Sequence, residues 1–179
     1  MMALMTTQLI LVTGGTRSGK SSFAQDLAEE AQGRKAFIAT AEPLDREMKE
    51  RIALHKQERP AGWDTVEEPI NLATAVKECG EAYDVLLIDC LTLWISNLLV
   101  NKSIHEEAIL KNISALVAGC REVPARVIVV TNELGMGIVP SDRLSRIYRD
   151  LVGKANQQVA SAADEVYFLV SGIPMKLKG

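Results

Sequence analysis

The chain has 179 residues, of which 47% are apolar and 24% charged, the composition of an ordinary globular domain. A chain of this length buries roughly 70% of its unfolded surface, so it needs no disulfide or metal cross-links, and we expect one domain over residues 1–179. The net charge of −3 argues against nucleic-acid or anionic-membrane partners, which bind basic surfaces.

Strands and helices alternate along the predicted chain. Short apolar, β-rich runs predict strands at Leu9–Thr13, Lys35–Thr40, Thr65–Glu67, Asp84–Asp89, Arg126–Thr131 and Glu165–Val170. Amphipathic periodicity predicts helices at Ser18–Gln32, Leu44–Glu58, Asn71–Cys79, Leu91–Val100, Ile104–Glu122 and Ser141–Ala163. Phe23, Leu27 and Ala31 share one face of the first helix, which Gly33 is expected to end, and Ser141 is the expected cap of the last.

Continuous apolar strands that alternate with helices predict an α/β fold, a mainly parallel sheet with helices on both faces. Ligands of such sheets bind beyond the carboxyl ends of the strands. The loops after Thr13, Thr40, Asp89 and Thr131 should therefore meet at one edge. We expect the chemistry of the chain at that edge.

A phosphate-binding loop (P-loop) stands between the first strand and the first helix. It matches the G-x-x-x-x-G-K-[ST] pattern with Gly14, Gly15, Thr16, Arg17, Ser18, Gly19, Lys20 and Ser21. The glycines let backbone N–H groups point at phosphate oxygens, and the helix adds its positive N-terminal end. Lys20 is placed to reach the β- and γ-phosphates, and the Ser21 hydroxyl to bind Mg²⁺. The motif predicts a nucleoside triphosphate, ATP or GTP, with Mg²⁺.

Asp89 ends the buried DVLLID strand, where a carboxylate can complete the metal shell of a P-loop protein. Asp89 and Ser21 are therefore the predicted metal residues.

Two classes of P-loop protein are disfavoured by what the chain lacks. Guanine-specific switch proteins carry an Asn-Lys-x-Asp base reader, but Asn101-Lys102 is followed by Ser103-Ile104. Motors that act on nucleic acids need a basic groove or stacking aromatic residues, and aromatic residues make up only 4% of the chain.

Three cysteines, Cys79, Cys90 and Cys120, are odd in number and lack metal-ligand spacing, which is typical of reduced thiols in a cytoplasmic protein.

Residues Met1–Thr7 carry no basic residue, so no signal peptide is expected. Nowhere does an apolar stretch approach the ~20 residues that span a bilayer.

Beyond the P-loop and Asp89, eight further stretches of the chain carry motifs that help to identify a family. They are His55–Trp63, Asp89–Trp94, Asn97–Leu99, Thr131–Pro140, Arg149–Asp150 with Gly153, Asn156–Gln157, Ala163–Val166 and Ser171–Pro174. With the P-loop, and in the same order from Leu9 to Lys178, these resemble the bifunctional adenosylcobinamide kinase / adenosylcobinamide-phosphate guanylyltransferase family of cobalamin (vitamin B12) biosynthesis.

The resemblance implies two reactions on adenosylcobinamide. The first phosphorylates its aminopropanol hydroxyl with ATP or GTP. The second transfers GMP from GTP to that phosphate through a GMP–histidine intermediate and releases pyrophosphate. The resemblance also implies a RecA-like P-loop sheet and a homotrimer.

Site residues are likewise implied by the resemblance. The family histidine precedes a basic stretch that ends in Arg-Pro, which makes it His55, and Leu54 stands where some relatives carry a second histidine. Nucleotide contacts beyond the P-loop would fall on Ala39, Thr40, Ala41, Lys56, Gln57, Glu58, Arg59, Glu67 or Glu68, and Asp89.

Residue chemistry alone leaves alternatives open. The basic residues around His55 also suit a helix end that complements the helix dipole. His105 is expected to be a solvated surface group. A kinase of another small substrate without guanylyl transfer, and a regulatory nucleotide-hydrolysing switch protein, are the competing functions.

Four residues after the RVIVV strand, Asn132, Glu133, Gly135 and Gly137, complete the predicted edge. Two glycines so close together predict a loop that approaches a ligand or a neighbouring backbone, with a substrate or subunit role. An ordinary turn into the next helix is the alternative.

Overall fold

A computed structural model describes residues 8–44, 46–57 and 62–179, apart from the side chains of residues 47, 51, 55 and 57. Within these residues, seven strands form one sheet in the order β3-β2-β4-β5-β1-β6-β7. The strands are β1 (Leu9–Gly14), β2 (Lys35–Ala39), β3 (Asp64–Glu67), β4 (Val85–Asp89), β5 (Arg126–Val130), β6 (Glu165–Val170) and β7 (Ile173–Lys178). All neighbouring strands are parallel except β6 and β7.

Helices connect the parallel strands. Those that the structure describes are α1 (Lys20–Glu29), α2 (Arg46–Gln57), α3 (Leu72–Gly80), α4 (Leu91–Ser96), α5 (Glu106–Glu122) and α6 (Arg143–Ala162). A single π-helical turn, Asn97–Asn101, continues α4. No helix in the described part of the chain is both long enough and apolar enough to cross a membrane.

Alternating side chains of the strands build two apolar layers. Along β1, Leu9 and Leu11 join the cluster covered by α3, α4, α5 and α6. Ile10 and Val12 join the cluster that contains Ala24, Leu27 and Ala28 of α1, with Phe23 and Ala31 packed against it. Successive strand residues point to opposite faces, so apolar residues at every position bury both faces of the sheet. The predicted mainly parallel sheet with helices on both faces is confirmed.

Several predicted boundaries were wrong. Helix α1 ends at Glu29 with Glu30 as its C-cap, so Gly33 lies beyond the helix end. The predicted helix Leu91–Val100 is α-helical only to Ser96, and its remainder belongs to the π-turn. Asp142, not Ser141, caps α6, because its carboxylate accepts a hydrogen bond from the Ser145 N–H at 2.8 Å. The predicted charged helix extends over Leu44–Glu58, but Asp45 and Glu58 lie outside the described residues.

One strand was missed altogether. β7 pairs antiparallel with β6 through a tight turn whose central residues, Ser171 and Gly172, have φ of 52° and 83°. Two-residue turns with positive φ match the twist of antiparallel strands. The Ser-Gly pair between two β-rich runs was therefore a hairpin signal in the sequence, and β6 is not the last strand.

Asp164 fixes the start of β1, the strand that leads into the P-loop. Its carboxylate accepts hydrogen bonds from the Leu9 N–H at 2.8 Å and from Arg121 at 2.6 Å. Burial alone would raise the pKa of Asp164, but these donors outweigh it and hold the pKa below the ordinary aspartate value. The ionised carboxylate therefore stabilises the folded chain.

Asp164→Ala should lower the free energy of unfolding by about 1 kcal/mol at pH 7, a value reduced for the solvent exposure of the pair. A depressed folded pKa stabilises the fold above the unfolded pKa, and this contribution is lost as the pH falls through the folded pKa. Urea unfolding should therefore separate variant from parent at pH 7, and the difference should shrink as the pH is lowered below the ordinary aspartate pKa. Glu81→Ala, at an exposed carboxylate, is the control, and a loss that does not change with pH would contradict the prediction.

Candidate active site at the carboxyl edge of the sheet

The carboxyl ends of β1, β2, β4 and β5 meet at one edge, as predicted. Backbone hydrogen bonds carry the pairing one residue past the strands, from the Thr40 N–H to the Asp89 carbonyl at 3.2 Å and from the Thr131 N–H to the Val12 carbonyl at 3.0 Å. β5 lies between β1, which carries the P-loop, and β4, which carries Asp89. The segment after β5 therefore emerges between the two.

The P-loop joins β1 directly to α1. Arg17 and Gly19 both have left-handed backbones, with φ of 56° and 91°, and the Ser18 N–H bonds back to the Gly15 carbonyl at 3.3 Å. Such turns direct successive N–H groups toward one centre, where an anion binds. Gly14 pairs with Leu169 of β6 so closely that a Cβ at residue 14 would lie 2.5 Å from the Leu169 carbonyl oxygen.

Two neighbouring segments hold the loop from outside. The Glu133 N–H donates to the Gly14 carbonyl at 3.0 Å, and the Gly172 N–H of the β6–β7 turn donates to the Ser18 carbonyl at 2.9 Å. Glu133 belongs to the loop predicted to approach a ligand or a neighbouring backbone, and the backbone that it contacts is the P-loop. The support from Gly172 was missed together with β7.

Lys20 lies inside the loop. It is the first residue of α1, and only 8% of it is exposed. Its Nζ donates a hydrogen bond to the Gly15 carbonyl at 2.6 Å. Burial lowers the pKa of Lys20 below the ordinary lysine value. A phosphate that entered the loop would offer this ammonium a stronger, charge-assisted partner than a carbonyl.

Ser21 and Asp89, the two predicted metal residues, are brought together. The Ser21 hydroxyl donates to Asp89 Oδ2 at 2.8 Å, which joins the first turn of α1 to the end of β4. A hydroxyl and a carboxylate oxygen are ligands that Mg²⁺ prefers in proteins. The described residues contain no group of three or more His, Cys, Asp or Glu side chains that could hold a metal by themselves.

The end of β2 is fixed to the same edge. The Thr40 hydroxyl donates to the Cys90 carbonyl and accepts from the Cys90 N–H, both at 2.8 Å, and the Thr40 carbonyl accepts from Asn97 at 2.7 Å. Thr40 thus holds the peptide that follows Asp89. Ala39 is buried beside it, and Ala41 is half-buried.

Cys90 is not suited to act as a nucleophile. Its thiol is buried next to Asp89, and burial raises its pKa to about 11. The thiol therefore stays protonated near neutral pH, and a protonated thiol is a poor nucleophile.

Predicted nucleotide contacts also lie on α2 and β3. Lys56 forms an ion pair with Glu67, so two of these residues meet. Glu68 instead accepts hydrogen bonds from the Ile70 and Asn71 N–H groups, which it holds at the start of α3.

The backbone of α2 carries His55 and Gln57, but their side chains, with Glu58 and Arg59, lie outside the described part of the chain. None of the described side chains of α2 is buried, and Leu54 is 55% exposed. His105 is exposed at the start of α5, as predicted.

Comparison with known proteins agrees with this site. The family model described as cobinamide kinase / cobinamide phosphate guanyltransferase matches residues 10–177. The chain belongs to this family. The match includes the P-loop, Asp89 and the β6–β7 turn, so it covers every part of the site that the structure brings together.

Named relatives align over almost their whole length. The bifunctional adenosylcobalamin biosynthesis protein CobU of Salmonella typhimurium is 44% identical, and that of Escherichia coli 43%, each over 95% of this chain and 99% of the relative. The corresponding CobP of Pseudomonas aeruginosa is 45% identical over 94% and 96%.

A solved structure supports the fold alone. The KaiC-like protein of Pyrococcus horikoshii has a TM-score of 0.51 at 19% identity, over 90% of this chain and 70% of that one. The predicted RecA-like P-loop fold is confirmed.

Substitutions at Lys20 and Asp89 should separate phosphate binding from metal use. Lys20→Ala should weaken GTP binding at least about tenfold, because it removes the buried ammonium from the phosphates.

Asp89→Asn should bind GTP without Mg²⁺ as the parent does. Its Mg²⁺-dependent turnover in both the kinase and the guanylyl-transfer reaction should nevertheless fall about a hundredfold or more. Its thermal stability should change little, since the amide oxygen can still accept from Ser21.

Calorimetric titration with GTP, with and without Mg²⁺, and rates across a Mg²⁺ series measure both effects. Parent-like rates of Asp89→Asn throughout that series would rule out its metal role, and unchanged GTP affinity of Lys20→Ala would rule out a phosphate contact.

Proposed function

We propose that this chain is a bifunctional cobinamide kinase and cobinamide phosphate guanylyltransferase that acts on adenosylcobinamide. The observation that carries the proposal is the assembled P-loop, with Ser21 hydrogen-bonded to Asp89, in a chain that the family model matches from residue 10 to 177. The relatives are named as bifunctional proteins of adenosylcobalamin biosynthesis.

In the kinase step, the aminopropanol hydroxyl attacks the γ-phosphorus of ATP or GTP. The bond to the β-phosphate oxygen breaks, the nucleoside diphosphate leaves and the hydroxyl proton is released. The P-loop N–H groups and Lys20 would bind the phosphates and stabilise their charge. Ser21 and Asp89 would hold the Mg²⁺ that supplies positive charge at the β- and γ-phosphates.

A polar atom in the loop supports an anionic ligand. Ser18 Oγ is buried and has no hydrogen-bond partner among the described residues. Buried hydroxyls almost always have a partner, and a phosphate oxygen or an ordered water in the loop would supply one.

In the guanylyl step, we propose that His55 attacks the α-phosphorus of GTP and releases pyrophosphate. The phosphate oxygen of adenosylcobinamide phosphate then attacks the same phosphorus, the P–N bond breaks, and adenosylcobinamide-GDP forms. Neutral imidazole is an effective nucleophile near pH 7. The protonated Cys90 thiol and the placement of His55 immediately before Lys56 support this choice.

Nucleotide contacts complete the proposal. Guanine-nucleotide recognition would use Ala39, Thr40 and Ala41 after β2, the α2 end from Lys56 to Arg59, and Glu67 or Glu68. The ion pair of Lys56 with Glu67 supports a shared site at this end of α2.

His55→Ala should abolish the GMP adduct and lower guanylyl transfer on the order of 10³-fold or more, since the step loses its nucleophile. Kinase turnover should stay near the parent value, because direct phosphoryl transfer needs no protein nucleophile. Incubation with α-labelled GTP and Mg²⁺, followed by denaturation, should show a parent adduct that survives alkali and breaks in acid.

His105→Ala, at the second histidine of the chain, is the matched control and should keep both activities. An adduct that persists in His55→Ala would place the nucleophile elsewhere. A parent protein that phosphorylates its acceptor but forms no adduct would favour a kinase without guanylyl transfer.

We further propose a cytoplasmic homotrimer. Cys79, Cys90 and Cys120 are free and buried, which suits a reducing compartment. The loop after β5 exposes Met136, Ile138 (96%) and Val139, and exposed apolar patches often mark subunit contacts. The number of three subunits is what the family resemblance implies. Light scattering of a homotrimer should report three times the 19.5 kDa chain mass, and a monomeric mass at micromolar concentration would contradict the trimer.

A further inference from the structure

A polar side chain interrupts the apolar face of α6. The buried residues of this helix are Leu151, Val152, Ala155, Asn156 and Val159. Asn156, which is 9% exposed, occupies a core position in this stripe, where an aliphatic side chain would bury more apolar area. A buried amide costs free energy unless it is hydrogen-bonded, so its presence here calls for specific partners.

Those partners lie at the end of β5. The Asn156 amide accepts a hydrogen bond from the Thr131 hydroxyl at 2.7 Å and donates to the Asn132 carbonyl at 3.0 Å. Both ends of the side-chain amide are thus used. The first bond orients the amide so that its N–H₂ group faces the Asn132 carbonyl.

The Asn132–Glu133 peptide group passes this contact on to the P-loop. Its carbonyl accepts from Asn156, and its N–H donates to the Gly14 carbonyl at 3.0 Å. A peptide group is planar and rigid, so one covalent unit joins helix α6 to the first residue of the P-loop. Hydrogen bonds in such a chain polarise and strengthen one another.

Asn132 is held at a second point. Its side-chain amide donates to the buried Thr92 hydroxyl at 2.9 Å, at the start of α4. The peptide therefore cannot shift along the sheet edge without breaking a bond to α6, to α4 or to the P-loop. β5 lies between β1 and β4, so this peptide follows the strand that stands between the one leading into the P-loop and the one ending at Asp89.

We propose that Asn156 is a positioning residue for the P-loop, acting through the Asn132–Glu133 peptide, with Thr92 as its second anchor. The proposal rests on phosphoryl and guanylyl transfer at the P-loop as the function of the chain. Through this peptide, Asn156 holds the Gly14 carbonyl from the β5 side, while β6 pairs with Gly14 on the other side, and the direction of that carbonyl sets the direction of the N–H group that follows it. Small displacements of groups that align a reacting phosphate cost far more in turnover than in ground-state binding.

Asn156→Leu replaces the amide with an apolar side chain that still fills the space, and it removes the hydrogen bonds to Thr131 and to the Asn132 carbonyl. Its turnover number per folded molecule should fall at least about tenfold in both reactions, while the Kd for GTP with Mg²⁺ stays within about threefold. Hydrogen exchange of backbone amides in residues 14–19 and 132–135 should become faster than in the parent. Thr92→Val keeps the shape and removes one anchor, so its turnover should fall at least about threefold with faster exchange in the same segments.

Gln157→Ala, at the exposed next residue of α6, is the control and should match the parent in turnover and exchange. Parent-like turnover and P-loop exchange in Asn156→Leu, with only a lower melting temperature, would overturn the proposal. If Asn156→Leu does not fold, the same parent-like result in Thr92→Val overturns it. The exchange and GTP-binding measurements need no corrinoid, so they still decide the positioning role if the parent protein proves inactive on cobinamide.

Discussion

The site depends on a P-loop that two neighbouring segments hold by its backbone carbonyls. The Gly14 carbonyl is held by Glu133 and the Ser18 carbonyl by Gly172, from opposite sides of β1. A peptide group whose carbonyl is fixed has little freedom to rotate, so each of these bonds also sets the direction of an N–H group. The parallel sheet makes this possible, because it places the segments after β5 and β6 on either side of the loop.

Within that frame, the Lys20 ammonium lies near the Asp89 carboxylate. The buried Lys20 ammonium donates a hydrogen bond to the Gly15 carbonyl, and the Asp89 carboxylate accepts one from the Ser21 hydroxyl. A phosphate would give the buried Lys20 ammonium a stronger, charge-assisted partner than a carbonyl. The loop is therefore suited to the phosphates of a nucleotide, and in the proposed reactions Ser21 and Asp89 would hold the Mg²⁺ beside them.

The two proposed reactions draw on parts of the chain with different packing. The P-loop and Asp89 are built on strands and a helix that are buried in two apolar layers. Helix α2, which carries His55, has no buried side chain among those described and meets β3 through the surface ion pair of Lys56 with Glu67. Exposed ion pairs contribute at most about 1 kcal/mol. In the proposed guanylyl step, the nucleophile is therefore carried by a helix whose described side chains are less buried than the P-loop.

The sequence by itself determined the α/β class, the P-loop and the edge at which the chemistry lies, because these follow from local signals. Glycines at fixed spacing predict the phosphate-binding loop, and continuous apolar strands predict a parallel sheet buried on both faces. The order of the motifs along the chain indicated the family. Tertiary structure alone decided the pairing of Ser21 with Asp89, the contacts of Glu133 and Gly172 with the loop, and the role of Asn156. Ser21 and Asp89 are 68 positions apart, Glu133 and Gly172 lie more than a hundred positions from the loop residues they contact, and Asn156 lies 24 and 25 positions from its partners. No local pattern specifies contacts over such separations. Even β7, whose Ser171-Gly172 turn is a local signal, acquires its role only when the folded sheet brings that turn against Ser18.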